Sequence, residues 1–130
     1  MAKRLTAKQL GITSEERKAL IKVRDGLADG KFVHRKHPLP DKPTDKPIFN
    51  MNAWRENWKC GTAGCIGGWM EVELAYEEGN WNYSKALDPL FQPFDLAYWS
   101  TLTPARAVRA IDNFLETGTD RPWARRKRAA

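Results

Sequence analysis

Histidine and cysteine are scarce, two of each in 130 residues, and no apolar run approaches the ~20 residues that a bilayer-spanning helix requires. Two cysteines cannot staple a small secreted scaffold, so reduced thiols and a cytoplasmic setting are expected, with no membrane partner. The segment from Met1 to Lys8 alternates basic and apolar residues with no hydrophobic stretch, and no secretory leader is expected there. The phosphate loop with its lysine and hydroxyl is missing, as is a Gly-x-Gly-x-x-Gly turn after a strand. Both histidines, His34 and His37, fall in a proline-rich stretch, and no carboxylate pair stands at catalytic spacing except on helix surfaces. These gaps weigh against acid–base and nucleotide-dependent chemistry, and no cofactor is expected. At 42% hydrophobic and 29% charged, the chain is nevertheless far from a disordered composition.

What is present is positive charge, unevenly placed. The formal charge is +6, and it splits into +6 over residues 1–47, −4 over 48–104 and +4 over 105–130. Near the end, Arg121, Arg125, Arg126, Lys127 and Arg128 surround Trp123. Such a run suits a phosphate backbone, whose counterions it releases, although a solvated tail is the blander reading. Trp58 beside Lys59 is a second aromatic–basic pair, and partner contact is expected at both places. Trp54, Trp69 and Trp99 lie among apolar neighbours and read as core.

Helical signals dominate. Thr13-Ser14-Glu15-Glu16 is a capping box ahead of the stripe Leu20, Val23 and Leu27, with Gly30 as the stop. Thr103-Pro104 opens a final helix whose buried face is Ala107, Val108, Ile111, Phe114 and Leu115, and Gly118 closes it. Leu5 and Leu10 point to a short turn before the first helix. Pro89 and Pro93 cut the aromatic stretch 81–102 into single turns. Trp54 and Trp58, four apart, read as one helical face. Alternating strand patterns are weak throughout. The expectation is a mainly α fold: one globular domain over 1–123, a proline-rich loop inserted at 34–47, and a basic tail at 124–130.

The least ordinary stretch is Lys59-Cys60-Gly61-Thr62-Ala63-Gly64-Cys65-Ile66-Gly67-Gly68-Trp69. Thr62 reads as the N-cap of a central helix carrying Cys65, Trp69, Val72 and Tyr76 at helical spacing, with Gly79-Asn80 as its end. Interior glycines cost a helix about 0.8–1 kcal/mol each, so Gly64, Gly67 and Gly68 require a compensating close approach by neighbouring backbone. Cys60, Gly61, Thr62, Cys65, Gly67, Gly68 and Trp69 are therefore expected to act structurally, with the thiols as packing. Glu71, Glu73, Glu77 and Glu78 form an acidic cluster on the same helix; Glu73 and Glu77, four apart, share a face that suits a cation site but is more often solvated surface.

Taken in order, Phe49-Asn50-Met51-x-x-Trp54, Cys60-Gly61-Thr62-x-x-Cys65-Ile66-x-Gly68-Trp69, Leu90-Phe91 and Thr103-Pro104 to Gly118 resemble a pattern in small proteins of phages and bacteria. Asn50 replaces the usual acidic residue and Gly67 the usual alanine. The resemblance spans roughly 13–123 and implies a shared fold and a phage or mobile-element origin, while supplying no catalytic residues.

Other chemistries compete for the motif. Cys60 just before a helix N-terminus would have a lowered thiol pKa, which suits a thiol-dependent enzyme, but its base would have to come from the proline-rich loop. His34, His37, Cys60 and Cys65 supply four zinc-type ligands for a metal-stabilised adaptor, although the cysteine spacing is one residue too long. A Cys60–Cys65 disulfide and an anion cradle at Gly61-Thr62-x-Gly64 are further readings. The expectation is a non-enzymatic basic binding protein. Its partner is macromolecular: nucleic acid, a nucleic-acid-processing complex or an acidic protein, with inhibition of a host system as an analogy.

Overall fold

Short polar residues set the helix starts. In the computed structural model, which describes residues 3–77, 82–93 and 96–124, α1 (Ala7–Leu10) and α2 (Ser14–Ala28) both begin with reciprocal capping boxes. Glu16 N–H donates to Thr13 Oγ1 at 3.0 Å while Thr13 N–H donates to the Glu16 carboxylate at 2.8 Å. The last helix is also as expected: α5 (Pro104–Thr117) is capped by Thr103, has Pro104 in its first turn and stops at Gly118, whose φ is 67°.

α2 and α5 pack against each other and form the main core. Leu20, Val23 and Leu27 meet Ala107, Ile111, Phe114 and Leu115, all buried. At the rim, Arg24 grips Asp112 with Nε and Nη2 at 3.0 and 3.2 Å.

The mainly helical expectation is overturned in the middle of the chain. Of the described residues 44% are helical and 10% lie in strands, and a four-stranded mixed sheet makes this an α/β mixture. The strands are β1 (Val33–His34), β2 (Ile48–Phe49), β3 (Arg55–Trp58) and β4 (Gly61–Gly64), in the order β1-β2-β4-β3. β1 and β2 run parallel, as do β2 and β4, while β3 and β4 form an antiparallel hairpin with Trp58 opposite Gly61. Trp54 and Trp58 are therefore not partners on a helical face, because Trp58 ends a strand.

The sheet has two differently sized cores. Phe49 joins the main cluster, whereas its neighbour Ile48 packs with Ala53, Cys60, Ala63 and half-buried Trp58 in a small second one. This is the two-residue alternation of a strand, compressed into two residues. The proline-rich segment is the crossover that joins parallel β1 and β2. The central helix, α3 (Ile66–Glu73), starts three residues later than the Thr62 cap implied. The stretch around Pro89 and Pro93 is cut into short turns as expected: a 3-10 turn at Lys85–Leu87, then α4 (Asp88–Phe91) with Pro89 in its first turn and Pro93 just beyond its end, and a second 3-10 turn at Trp99–Thr101.

Candidate functional site

The glycine-rich motif is where sheet, helix and tryptophans meet. Gly61 to Gly64 are strand β4, so Thr62 caps no helix and the anion cradle expected at Gly61-Thr62-x-Gly64 has no helix N-terminus behind it. Cys65 is the N-cap of α3, and its Sγ accepts the Gly68 N–H at 3.5 Å. The glycines make room for two indoles and one carbonyl. A Cβ on Gly64 would lie 3.0 Å from Trp69 Nε1, which instead donates to Ile48 O at 3.0 Å. At Gly67 a Cβ would meet the Trp54 ring at 2.5 Å, and at Gly68 it would overlap the Trp54 carbonyl oxygen. Close approach of backbone to Gly68 is thus the compensation that its cost in a helix demanded.

Trp54 lies across Gly67 and donates its indole N–H to Glu71 Oε1, one helical turn on, at 2.8 Å. Glu71 is fully buried, so it stands apart from the acidic residues that follow it. Glu73 keeps a surface role through Lys22 at 3.2 Å, while Glu77 lies beyond the end of α3. Tyr83 donates its hydroxyl to Gly67 O at 3.0 Å, and burial, reinforced by the Glu71 charge, pushes its pKa far up. Cys65 lines a hollow of about 100 Å³ with Met51, Asn52, Trp54, Phe91, Gln92 and Trp99, none of which is a base. Burial pushes the Cys65 thiol up to about 11.

Cys60 has a different environment. It sits in the turn between β3 and β4, beneath the proline-rich crossover, and not at a helix N-terminus. Leu39 N–H donates to its Sγ at 3.4 Å and Thr44 N–H to its carbonyl oxygen at 2.9 Å. Burial pushes the thiol up, and the Leu39 N–H together with the Arg35 guanidinium outweighs it, so the pKa falls below the usual thiol value. Cys60 as a whole is 2% exposed.

The same bonds shape the surface above it. Asn50 Nδ2 donates to Arg35 O and Lys36 O at 2.8 and 3.2 Å, and the Arg35 guanidinium donates to Lys42 O. Clasped to the β3–β4 hairpin, the crossover displays Lys36, Lys42 and Lys46 in the company of Lys59, all exposed. With Arg35 this makes five positive side chains, against the carboxylates of Asp41, Asp45 and Glu56. On α2 Lys22 and Arg24 are neutralised by Glu73, Asp25 and Asp112, whereas these four lysines hold no ion pair among the described residues.

Other expected site residues are dispersed. His34 meets Ser100 O at 2.9 Å and His37 meets Pro38 O at 3.2 Å through ring nitrogens. Among the described residues no three metal-type side chains converge, so His34, His37, Cys60 and Cys65 are not assembled into a zinc site. Cys60 and Cys65 are both free thiols rather than a disulfide. Trp123, expected at a partner surface, is buried in the main core and donates its indole N–H to Leu90 O at 2.9 Å. Pro122 is buried with it, and Asn113 Nδ2 donates to Pro122 O at 3.0 Å, which ties the end of the described chain onto α5. Arg121 is exposed, and Trp58 is half-buried with its indole 3.4 Å from Glu56 Oε1. Arg125, Arg126, Lys127 and Arg128 lie outside the described residues, as do Glu78, Gly79, Asn80 and Trp81.

No family model, curated protein or solved structure matches the chain. Among the described residues no helix is long and apolar enough to cross a membrane.

Proposed function

We propose that this chain is a non-enzymatic binding domain whose clasped basic loop, with Lys36, Lys42, Lys46 and Lys59, engages nucleic acid. The observation that carries the reading is the pair of bonds from Leu39 and Thr44 to Cys60, which hold the loop on the hairpin and bring its lysines, without an ion pair among the described residues, to the side of Lys59. A loop whose backbone is already held loses less freedom when its lysines meet phosphates, and each neutralised phosphate releases counterions. In this reading the depressed Cys60 thiol serves the clasp as an acceptor, and Cys65 serves α3 as its cap.

The test is a titration of a fluorescently labelled oligonucleotide with the full chain, read by anisotropy, with polyglutamate as competitor. Binding that weakens with salt, that polyglutamate displaces only in large excess, and that is lost in a Lys36→Gln, Lys42→Gln, Lys46→Gln, Lys59→Gln variant supports the reading. Equal competition by polyglutamate points to an acidic protein instead. For the thiols, alkylation by iodoacetamide at neutral pH is expected to stay slow at both cysteines until the chain is unfolded. Rapid, selective labelling of Cys60 would return the thiol-enzyme reading to the front.

A further inference from the structure

Tyr98 stands 80% exposed, and its backbone is left-handed, with φ 56° and ψ 57°. That conformation disfavours a bulky side chain, so the surroundings must impose it. Thr101 does so with two donors, since its N–H and its hydroxyl reach Tyr98 O at 2.9 and 2.7 Å. The next residue anchors the turn inward: the Trp99 indole donates to Pro93 O at 3.2 Å and Leu96 O at 3.0 Å. None of these bonds uses the phenol. The turn therefore fixes the backbone beneath an aromatic ring that is left in water.

The ring's position relates it to the basic loop. His34 at 2.9 Å from Ser100 O joins the 98–101 turn to the end of β1, and the next residue, Arg35, opens the loop. Asn50 holds the Arg35 and Lys36 carbonyls at that same end. An exposed aromatic on a held backbone thus lies close in the fold to the start of the basic loop, where the Arg35 and Lys36 carbonyls and the Arg35 guanidinium are themselves bonded.

We propose that Tyr98 is a stacking platform for one base of an unpaired nucleic-acid strand, whose phosphates lie along Arg35 and Lys36. This rests on the nucleic-acid reading above and narrows it to a single strand. Within a duplex, each base face is covered by its neighbours and offers nothing to a phenol ring, whereas an open strand presents a planar face at every base. An acidic peptide would satisfy the lysines but brings no repeating planar group.

The experiment compares three labelled probes of equal length with the full chain: a mixed-sequence single strand, a strand of the same phosphates with abasic sites, and a duplex. The base-bearing strand is expected to bind about tenfold tighter than the abasic one, a typical stacking contribution. Tyr98→Ala should bring that ratio to about one while leaving abasic-strand affinity unchanged, and Tyr98→Phe should preserve it. A ratio near one for the unaltered chain, or a ratio that survives Tyr98→Ala, overturns the stacking role while salt-sensitive binding still stands. Failure of every probe to bind overturns both this inference and the function on which it rests. Circular dichroism melts of the two Tyr98 variants, expected to match the unaltered chain within a few degrees, separate lost stacking from lost folding.

Discussion

Replacing Gly68 with alanine gains about 0.8–1 kcal/mol of helix propensity, yet the new methyl would overlap the Trp54 carbonyl oxygen. Backbone cannot rotate away as a side chain can, so overpacking wins, and a net loss of about 2 kcal/mol or more is expected by chemical denaturation. Gly67→Ala meets only the Trp54 ring and Phe91, which can shift, and should cost less. Equal costs would mean that the Trp54 main chain is not what the helix was cleared for. Ala75 is the opposite case. It closes α3 in a left-handed conformation at φ 56°, with Tyr76 N–H bonded to Glu71 O and Ala75 N–H to Val72 O. That is the position glycine usually fills after a helix. Ala75→Gly removes the steric conflict there and should stabilise the chain by about 1 kcal/mol, seen as a rise in melting temperature.

Among the elements, Glu16 ties the start of α2 to the turn after residue 82. Its carboxylate accepts the Thr13 N–H at 2.8 Å, the Ser84 N–H at 2.8 Å and the Ser84 hydroxyl at 2.6 Å. Burial pushes this carboxyl up, and those donors outweigh it, so its folded pKa lies below the ordinary 4.5. A group lowered on folding contributes stability above its unfolded value and loses it as pH falls through the folded one. Glu16→Gln should therefore cost about 2 kcal/mol at pH 7, with the gap to the unaltered chain closing below about pH 4. Denaturant titrations at the two pH values check this. The same capping box was legible in the sequence, as were both ends of α5, because the chemistry of a cap lies within four neighbouring residues. The sheet was not. Its strands are two or four residues long, too short to show alternation, and the β3–β4 hairpin turns through Lys59-Cys60 without the Asn-Gly or Asp-Gly signal that marks tight turns. With Thr62 read as a helix cap, Cys60 falls at a helix start, and its actual setting beneath the crossover stays out of view. Trp123 is hidden from the sequence for a related reason: its sequence neighbours are basic, but its bond to Leu90 O in the core is long-range. Tyr98 carries no sequence signal of its exposure, since the described aromatics nearest it in sequence, Tyr83, Phe91 and Trp99, are buried or half-buried.

For the molecule as a whole, the question is whether net charge or its placement governs binding. Substituting the four loop and hairpin lysines by glutamine and deleting residues 125–130 each remove four positive charges, so the two variants have equal net charge. At physiological salt the field of a surface charge fades over about 8 Å. Equal net charges with different positions should consequently behave differently. If the four lysines each neutralise one phosphate of a single strand, the affinity falls with salt at a log–log slope near −3, from about −0.7 per contact. The glutamine variant should lose most of that slope, while the truncated chain should keep most of it. Anisotropy titrations from low to moderate salt measure both. A truncated chain that loses the slope while the glutamine variant keeps it would move the interface to the C-terminal basic run. Equal flattening in the two variants would mean that the clasp at Cys60 gathers the lysines to no electrostatic effect. The contrast between variants decides the matter, because either slope alone reports only how many phosphates are met and not which side chains meet them.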